Sequence, residues 1–211
     1  MKAAGDLLRL SLGVVFHPLD TFGYIKRNRG YFSYLPVAAL LLVVVAVRIA
    51  TIYLTHFPLS GGVSPENANF FREFAKYTLP VIGWSIACFI MTSIMDGECL
   101  FKELLTASCY AMIPFILFMI PIAIVSNVMS LYELDIYYFL VTGIWGWVIL
   151  LYFISVKVLN DYTVLKTLVV CIVSALALFV IVAVLLLVYS MINQFFQIVY
   201  DIYTEARMLY W

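Results

Sequence analysis

The chain has 211 residues, of which 65% are hydrophobic and only 11% charged, and its twelve Lys and Arg balance twelve Asp and Glu. A soluble domain carries about 25% charged residues, so the apolar surface of this chain must face lipid rather than water. This composition excludes a soluble enzyme, a nucleic-acid-binding protein, a disordered chain and a disulfide scaffold. We expect an all-α integral membrane protein.

The first predicted elements precede the long apolar runs, within residues 1–33. Residues 6–16 are mostly apolar and too short to cross a bilayer, which favours a helix in the cytoplasmic membrane interface. This helix should end before Pro18, where a second short helix can begin. Arg9 interrupts the apolar run and no A-x-A cleavage site follows. The first span is therefore expected to be a retained anchor and not a cleaved signal peptide.

Five apolar runs are long enough to cross about 30 Å of hydrocarbon, which takes about 20 helical residues. In lipid, backbone polar groups are satisfied only within a helix or a closed barrel, and these runs lack the alternation of barrel strands. The sequence therefore predicts a five-helix transmembrane domain over residues 34–192. The predicted spans cover residues 34–56, 78–95, 106–129, 136–156 and 167–192.

The cations predict the orientation of these spans. With the N-terminus in the cytoplasm, the inside segments hold eight Lys and Arg residues and the outside segments hold three, which follows the positive-inside rule. An odd number of spans then places the C-terminus outside the cytoplasmic membrane. The inside cations are Lys2, Arg9, Lys26, Arg27, Arg29, Lys102, Lys157 and Lys166, and the outside ones are Arg72, Lys76 and Arg207.

Two further amphipathic helices are predicted on the outer side. In the loop after the first span, Ser64 and Pro65 form a typical helix start, and the helix should carry Phe70, Phe74 and Tyr77 on one stripe. In the tail, residues 193–211, apolar side chains recur at helical spacing. We expect both helices to lie in the membrane interface, where aromatic residues are common. A carbohydrate-binding platform is the alternative.

Arg48 lies inside the first predicted span. Inserting a charged side chain at the centre of a membrane helix costs about 2.5–3.5 kcal/mol, so such a residue is by default a candidate functional site. Asn127 and Asn193 should lie in the same outer half of the membrane, so the three residues form a candidate polar site. Two interpretations stay open. Arg48 either snorkels or pairs within the bundle, which predicts that Arg48→Met is tolerated, or it serves transport or ligand binding.

The remaining features of the spans concern packing. Pro114 and Pro121 invite kinks in the third span, and Gly143 and Gly146 indicate close helix contact in the fourth. The sequence contains no HExxH, GxSxG, Walker loop or zinc-ligand spacing. We therefore expect no enzyme activity, no metal and no other cofactor.

The turn after the second span carries a family resemblance. The chain reads DGECLFKELL from Asp96 and YAMIP from Tyr110, which resembles the bacterial branch of the Yip family, the Ypt/Rab-interacting membrane proteins. An N-terminal segment also resembles the proline-containing segment of such proteins, through His17, Pro18 and Phe22. The candidate contact residues in the turn are Asp96, Gly97, Phe101, Lys102, Tyr110 and Pro114.

The resemblance implies a five-span protein without a known cofactor that acts by contact with lipids or other membrane proteins. We expect a non-catalytic scaffold or assembly factor. Bacterial relatives often accompany sugar importers, so the permease of an ABC sugar importer is a candidate partner, as is a second copy of this chain. The alternative is a small-solute channel or permease, which needs a continuous polar path where a scaffold has isolated polar pairs.

Overall fold

In the computed structural model, all regular secondary structure of the described residues is helical. The model describes residues 10–28, 34–55 and 69–209, and for residues 131 and 205–209 it describes only the backbone. Residues 10–16 are helical, and no strand occurs in the described ranges. The longer helices are α1 (Pro18–Arg27), α2 (Tyr34–Leu54), α3 (Phe70–Ile94), α4 (Phe101–Tyr110), α5 (Ile113–Val125), α6 (Leu134–Leu159) and α7 (Val164–Leu209).

Five helical segments of the described chain are long and apolar enough to cross a membrane, which confirms the predicted five-span, all-α fold. The third span consists of α4 and α5, and the others are α2, α3, α6 and α7. Successive spans run in opposite directions. One end of the bundle, called the junction end, gathers α1, the α3–α4 turn and the α6–α7 turn. The other is called the opposite end.

The N-terminal segment packs on the bundle. Helix α1 begins at Pro18, as predicted, and packs against α6. Phe22 and Ile25 are fully buried with Val14 in one apolar core cluster, whereas Leu19 is exposed. Protein therefore covers the apolar face of α1, and its predicted place in the membrane interface is not confirmed.

The second span begins eight residues before the predicted start at residue 78, because α3 starts at Phe70. The Asn69 side chain caps this helix by accepting a hydrogen bond from the Phe71 N–H at 3.0 Å, as asparagine commonly does. Residues 70–77 thus continue directly into the span, and a separate surface helix there is not confirmed. The predicted helix start at Ser64 lies outside the described residues.

The third span is interrupted between α4 and α5, at residues 111–112. Pro114 lies in the first turn of α5, where its missing N–H leaves no hydrogen bond unmade. Pro121 lies inside α5, which continues to Val125. The helix is interrupted just before Pro114 and continues without interruption through Pro121.

The fourth-span glycines do not mark a close helix contact, so that prediction is wrong. Both Gly143 and Gly146 are exposed, and a Cβ at either position would meet no described atom within 4 Å. The close approach is at Gly83 of α3, where a Cβ would lie 2.8 Å from Leu178 Cδ1 of α7. A glycine of the second span therefore lets α3 and α7 pack.

Helix α7 continues without a break for 46 residues, or about 69 Å at 1.5 Å per residue. This length exceeds the hydrocarbon thickness of about 30 Å. All side chains from residue 184 to residue 203 are exposed. The predicted tail from residue 193 onward is therefore a continuation of the helix that forms the fifth span, and its place in the interface stays a prediction.

Candidate functional site

An ion pair lies in the bundle near the opposite end. The Arg48 Nε donates to Glu73 Oε2 at 3.3 Å, and the two side chains are 18% and 2% exposed. Glu73 lies in the first turn of α3, where the helix dipole favours a negative charge. The Arg48 guanidinium also lies 5.9 Å from the Tyr77 ring centroid, within cation–π range. Arg48 is thus paired within the bundle.

Aromatic rings surround this pair on its inner side. The Tyr77 ring centroid lies 5.3 Å from that of Phe115 and 6.1 Å from that of Trp145, and the latter two are 5.6 Å apart. Such separations are typical of packed aromatic clusters. Phe115 is fully buried. Next to the ion pair, on the side toward the middle of the bundle, the space is therefore occupied by the rings of Tyr77, Phe115 and Trp145.

In the described part of the chain, no hydrogen bond or ion pair joins Arg48 to Asn127 or Asn193, the other two residues of the predicted polar site. The Asn127 Nδ2 donates to the Leu54 carbonyl at 2.7 Å and to the Ala123 carbonyl at 3.1 Å. Asn193 lies exposed on α7. Glu73, the actual partner of Arg48, does not follow from the hydropathy pattern, because residues 70–77 are less apolar than the rest of α3 and are predicted to belong to the outer loop. The available signal is an acidic residue in the first helical turn after an asparagine cap.

The presence of Glu73 changes the expectation for Arg48→Met. Removing one partner of a buried ion pair leaves an uncompensated charge and costs about 3–5 kcal/mol. Because Glu73 is almost fully buried, its carboxylate cannot turn to water. The single substitution should therefore destabilise the protein, contrary to the tolerance predicted for an arginine that snorkels or pairs within the bundle.

At the junction end, α3 and α6 end in the same way. After α3, Asp96 has a φ of 56° and the Gly97 N–H donates to the carbonyl five residues earlier at 2.7 Å. After α6, Asp161 has a φ of 50° and the Tyr162 N–H makes the equivalent bond at 3.1 Å. Both ends are Schellman motifs, with aspartate in the left-handed position usually held by glycine. Each motif satisfies a helix-end carbonyl.

Hydrogen bonds join the two turns to each other. The Tyr162 hydroxyl donates to the Met95 carbonyl at 2.9 Å, and the Asn160 Oδ1 accepts from the Cys99 N–H at 3.4 Å. Burial raises the pKa of the Tyr162 hydroxyl and of the Cys99 thiol. Both groups are therefore neutral at physiological pH, and Cys99 is not an activated nucleophile.

Lys26 of α1 connects the N-terminal segment to both turns. Its Nζ forms an ion pair with Asp161 and lies 3.7 Å from Glu98 Oε2. The lysine side chain is only 16% exposed, whereas the two carboxylates are mostly exposed. We call this assembly of Lys26 and residues 95–100 and 160–163 the junction.

Gly97 is required for space at the junction. A Cβ at this position would lie 2.5 Å from Asn160 Oδ1 and 2.8 Å from both the Thr92 carbonyl oxygen and the Tyr162 hydroxyl. Each distance is too short for a carbon atom, and two of these atoms make the hydrogen bonds that join the turns. The structure thus gives this predicted contact residue a packing role.

The next residues of the family motif also make contacts inside the bundle. The Phe101 ring lies edge-on to Phe89, with centroids 5.7 Å apart, and the Lys102 Nζ lies 5.4 Å from the Tyr34 ring centroid. Tyr110 is buried at the end of α4. These residues hold α4 against α2 and α3. The exposed side chains of the turn are instead Asp96, Glu98 and Leu100.

The residues of the N-terminal motif also include both buried and exposed side chains. Phe22 is buried, whereas His17 is exposed and precedes α1. The His17 carbonyl accepts a hydrogen bond from the Thr21 hydroxyl at 3.0 Å. No cluster of three or more His, Cys, Asp or Glu residues able to hold a metal ion occurs in the described part of the chain.

Comparison with models of protein families identifies the family of this chain. The model of the Yip1 domain matches residues 12–187, a stretch that includes α1, Arg48, Glu73, the whole junction and half of α7. The chain belongs to the Yip family. A comparison with curated proteins and one with solved structures found no match. Membership in the bacterial branch stays a prediction.

A substitution at Gly97 tests the packing role of this residue. We expect Gly97→Ala to lower stability by about 1–3 kcal/mol, the usual cost of overpacking, when thermal unfolding is followed in detergent. Gly146→Ala is the matched control, because alanine gains about 0.5–1 kcal/mol over glycine inside a helix and meets nothing there. A Gly97→Ala protein of normal stability that has lost a partner would instead make Gly97 a contact residue.

Proposed function

We propose that this Yip family protein is a non-catalytic membrane scaffold or assembly factor. The observation that carries the proposal is the local pairing of its intramembrane polar groups: Arg48 binds Glu73, and Asn127 binds backbone carbonyls. A channel or permease needs polar groups that follow one another along a path. Here the ring layer of Tyr77, Phe115 and Trp145 adjoins the ion pair, which favours a closed bundle.

The junction is the proposed contact surface. Its internal groups, such as Gly97 and Tyr162, fix the two turns, whereas Leu100 is half exposed and the Glu98 and Asp161 side chains face solvent. A turn held by buried hydrogen bonds presents such side chains in a constant arrangement. The partner we propose is another membrane protein, such as the permease of an ABC sugar importer, or a second copy of this chain.

We further propose that the protein lies in the cytoplasmic membrane with its junction end in the cytoplasm and its C-terminus outside. The cation distribution supports this orientation. Lys26, Lys102 and Lys166 all lie at the junction end, whereas Arg72 and Lys76 lie toward the opposite end. The charge asymmetry in the sequence therefore follows the two ends of the fold.

Thiol labelling of intact cells tests the orientation. Tyr132 is 98% exposed at the opposite end and Val164 is 56% exposed at the junction end. A membrane-impermeant maleimide should label Tyr132→Cys in intact cells and Val164→Cys only after permeabilisation. The reverse pattern would contradict the proposed orientation.

Neutral replacement of the ion pair distinguishes a scaffold from a permease. Arg48→Met and Glu73→Leu should each lower stability by about 3–5 kcal/mol, whereas the double variant should recover most of this loss, as apolar replacements of buried ion pairs often do. Thermal unfolding in detergent measures the three variants. The double variant should also keep its co-purifying partner.

Solute flux is measured with the same proteins in liposomes. We expect no flux of small sugars or ions from the wild type or from the stable double variant. Flux through the wild type that the double variant lacks would make Arg48 part of a transport path and reject the scaffold in favour of the permease.

A further inference from the structure

A cavity of about 400 Å³ lies between α3, α6 and α7. Its volume falls within the range of about 300–1,000 Å³ that is typical of ligand sites. Met112, which is 2% exposed, lies at its inner wall, and Ile149, which is 66% exposed, lies at its rim. The cavity therefore extends from the lipid-facing surface into the bundle. Its aromatic lining consists of Tyr77, Trp84, Trp145, Tyr152 and Phe153.

One of these aromatic residues carries a donor without an acceptor. The Trp84 Nε1 is buried and has no hydrogen-bond partner among the described residues. The indole is held edge-on by Tyr152, with ring centroids 5.8 Å apart. Buried polar groups are normally satisfied, and a hydrocarbon chain offers no acceptor. The cavity thus calls for an apolar ligand that also carries an acceptor.

Two cations lie where the cavity approaches the opposite end. Lys76 lines the cavity, and Arg72 lies one turn earlier on the same face of α3. Neither forms an ion pair or hydrogen bond with the described part of the chain. Glu73, the acidic residue between them in sequence, is already bound to Arg48. An anionic group is the natural complement of this pair of cations.

We propose that this cavity binds an anionic glycerophospholipid. The phosphate lies at Lys76 and Arg72, an ester carbonyl accepts from the Trp84 N–H, and an acyl chain lies among the aromatic rings. Lys76 and Trp84 are eight residues apart, or about 12 Å along the helix, and both line the cavity. On α3 the cavity lining runs from Lys76 through Tyr77, Pro80 and Val81 to Trp84, so the cation and the indole donor lie at the two ends of the apolar wall that this helix contributes.

Other ligands fit these features less well. A free hydrocarbon chain leaves both the indole N–H and the two cations without a partner. A polar solute meets walls made mostly of apolar side chains. The proposed lipid site is also separate from the junction, so it stands whether or not the junction contacts a partner.

Native mass spectrometry of the delipidated protein tests this site. Phosphatidylglycerol should be retained more strongly than a diacylglycerol with the same chains, which lacks the phosphate. Trp84→Phe, which keeps an aromatic ring and removes the N–H, and Lys76→Gln should each weaken phosphatidylglycerol binding roughly 3- to 10-fold, as expected for one lost hydrogen bond. Trp147→Phe is the matched control, because Trp147 is 44% exposed and lies outside the cavity lining.

Two results would overturn the proposal. One is equal binding of diacylglycerol and phosphatidylglycerol, and the other is an equal effect of Trp84→Phe and Trp147→Phe. The position of the chain is checked separately with phosphatidylglycerol that carries brominated acyl chains. This lipid should quench tryptophan emission more strongly in the wild type than in Trp84→Phe, and equal quenching would contradict the placement of the chain beside Trp84.

Discussion

The packing of the first two spans depends on one buried carboxylate. Glu73 is 2% exposed, and neither lipid nor protein interior can take the place of water around its charge. Helix α3 must therefore meet α2 where Arg48 lies. Once this contact is made, Tyr77 lies over the guanidinium and brings Phe115 and Trp145 into one aromatic cluster. The ion pair thus determines how three further elements are arranged around α2.

The junction imposes a second constraint at the other end of the bundle. Helices α3 and α6 both end there in a Schellman motif. Asn160 and Tyr162 of the second turn form hydrogen bonds with backbone groups of the first turn. Gly97 makes this close approach possible. Polar contacts therefore fix both ends of the bundle, so the apolar middle parts of the spans can pack against each other by complementary shape alone.

The sequence predicts the five spans because the length of an apolar run is a local property. The start of α1 at Pro18 follows from local sterics in the same way. The partner of Arg48 does not follow from the sequence, because pairing is a long-range property and the charged first turns of α3 lower its local hydropathy. The continuity of α7 past Asn193 does not follow from hydropathy either. A fall in apolar content marks where a helix leaves the hydrocarbon, and it does not mark where the helix ends.

Exchange of the two charges tests most directly whether this ion pair organises the bundle. Arg48→Glu and Glu73→Arg each place two like charges side by side in the membrane, and each should greatly reduce the yield and melting temperature of folded protein in detergent. The double exchange restores one cation and one anion at the same contact. It should regain a large part of the melting temperature that either single change loses. A double variant no more stable than the single ones would contradict the central role of the pair.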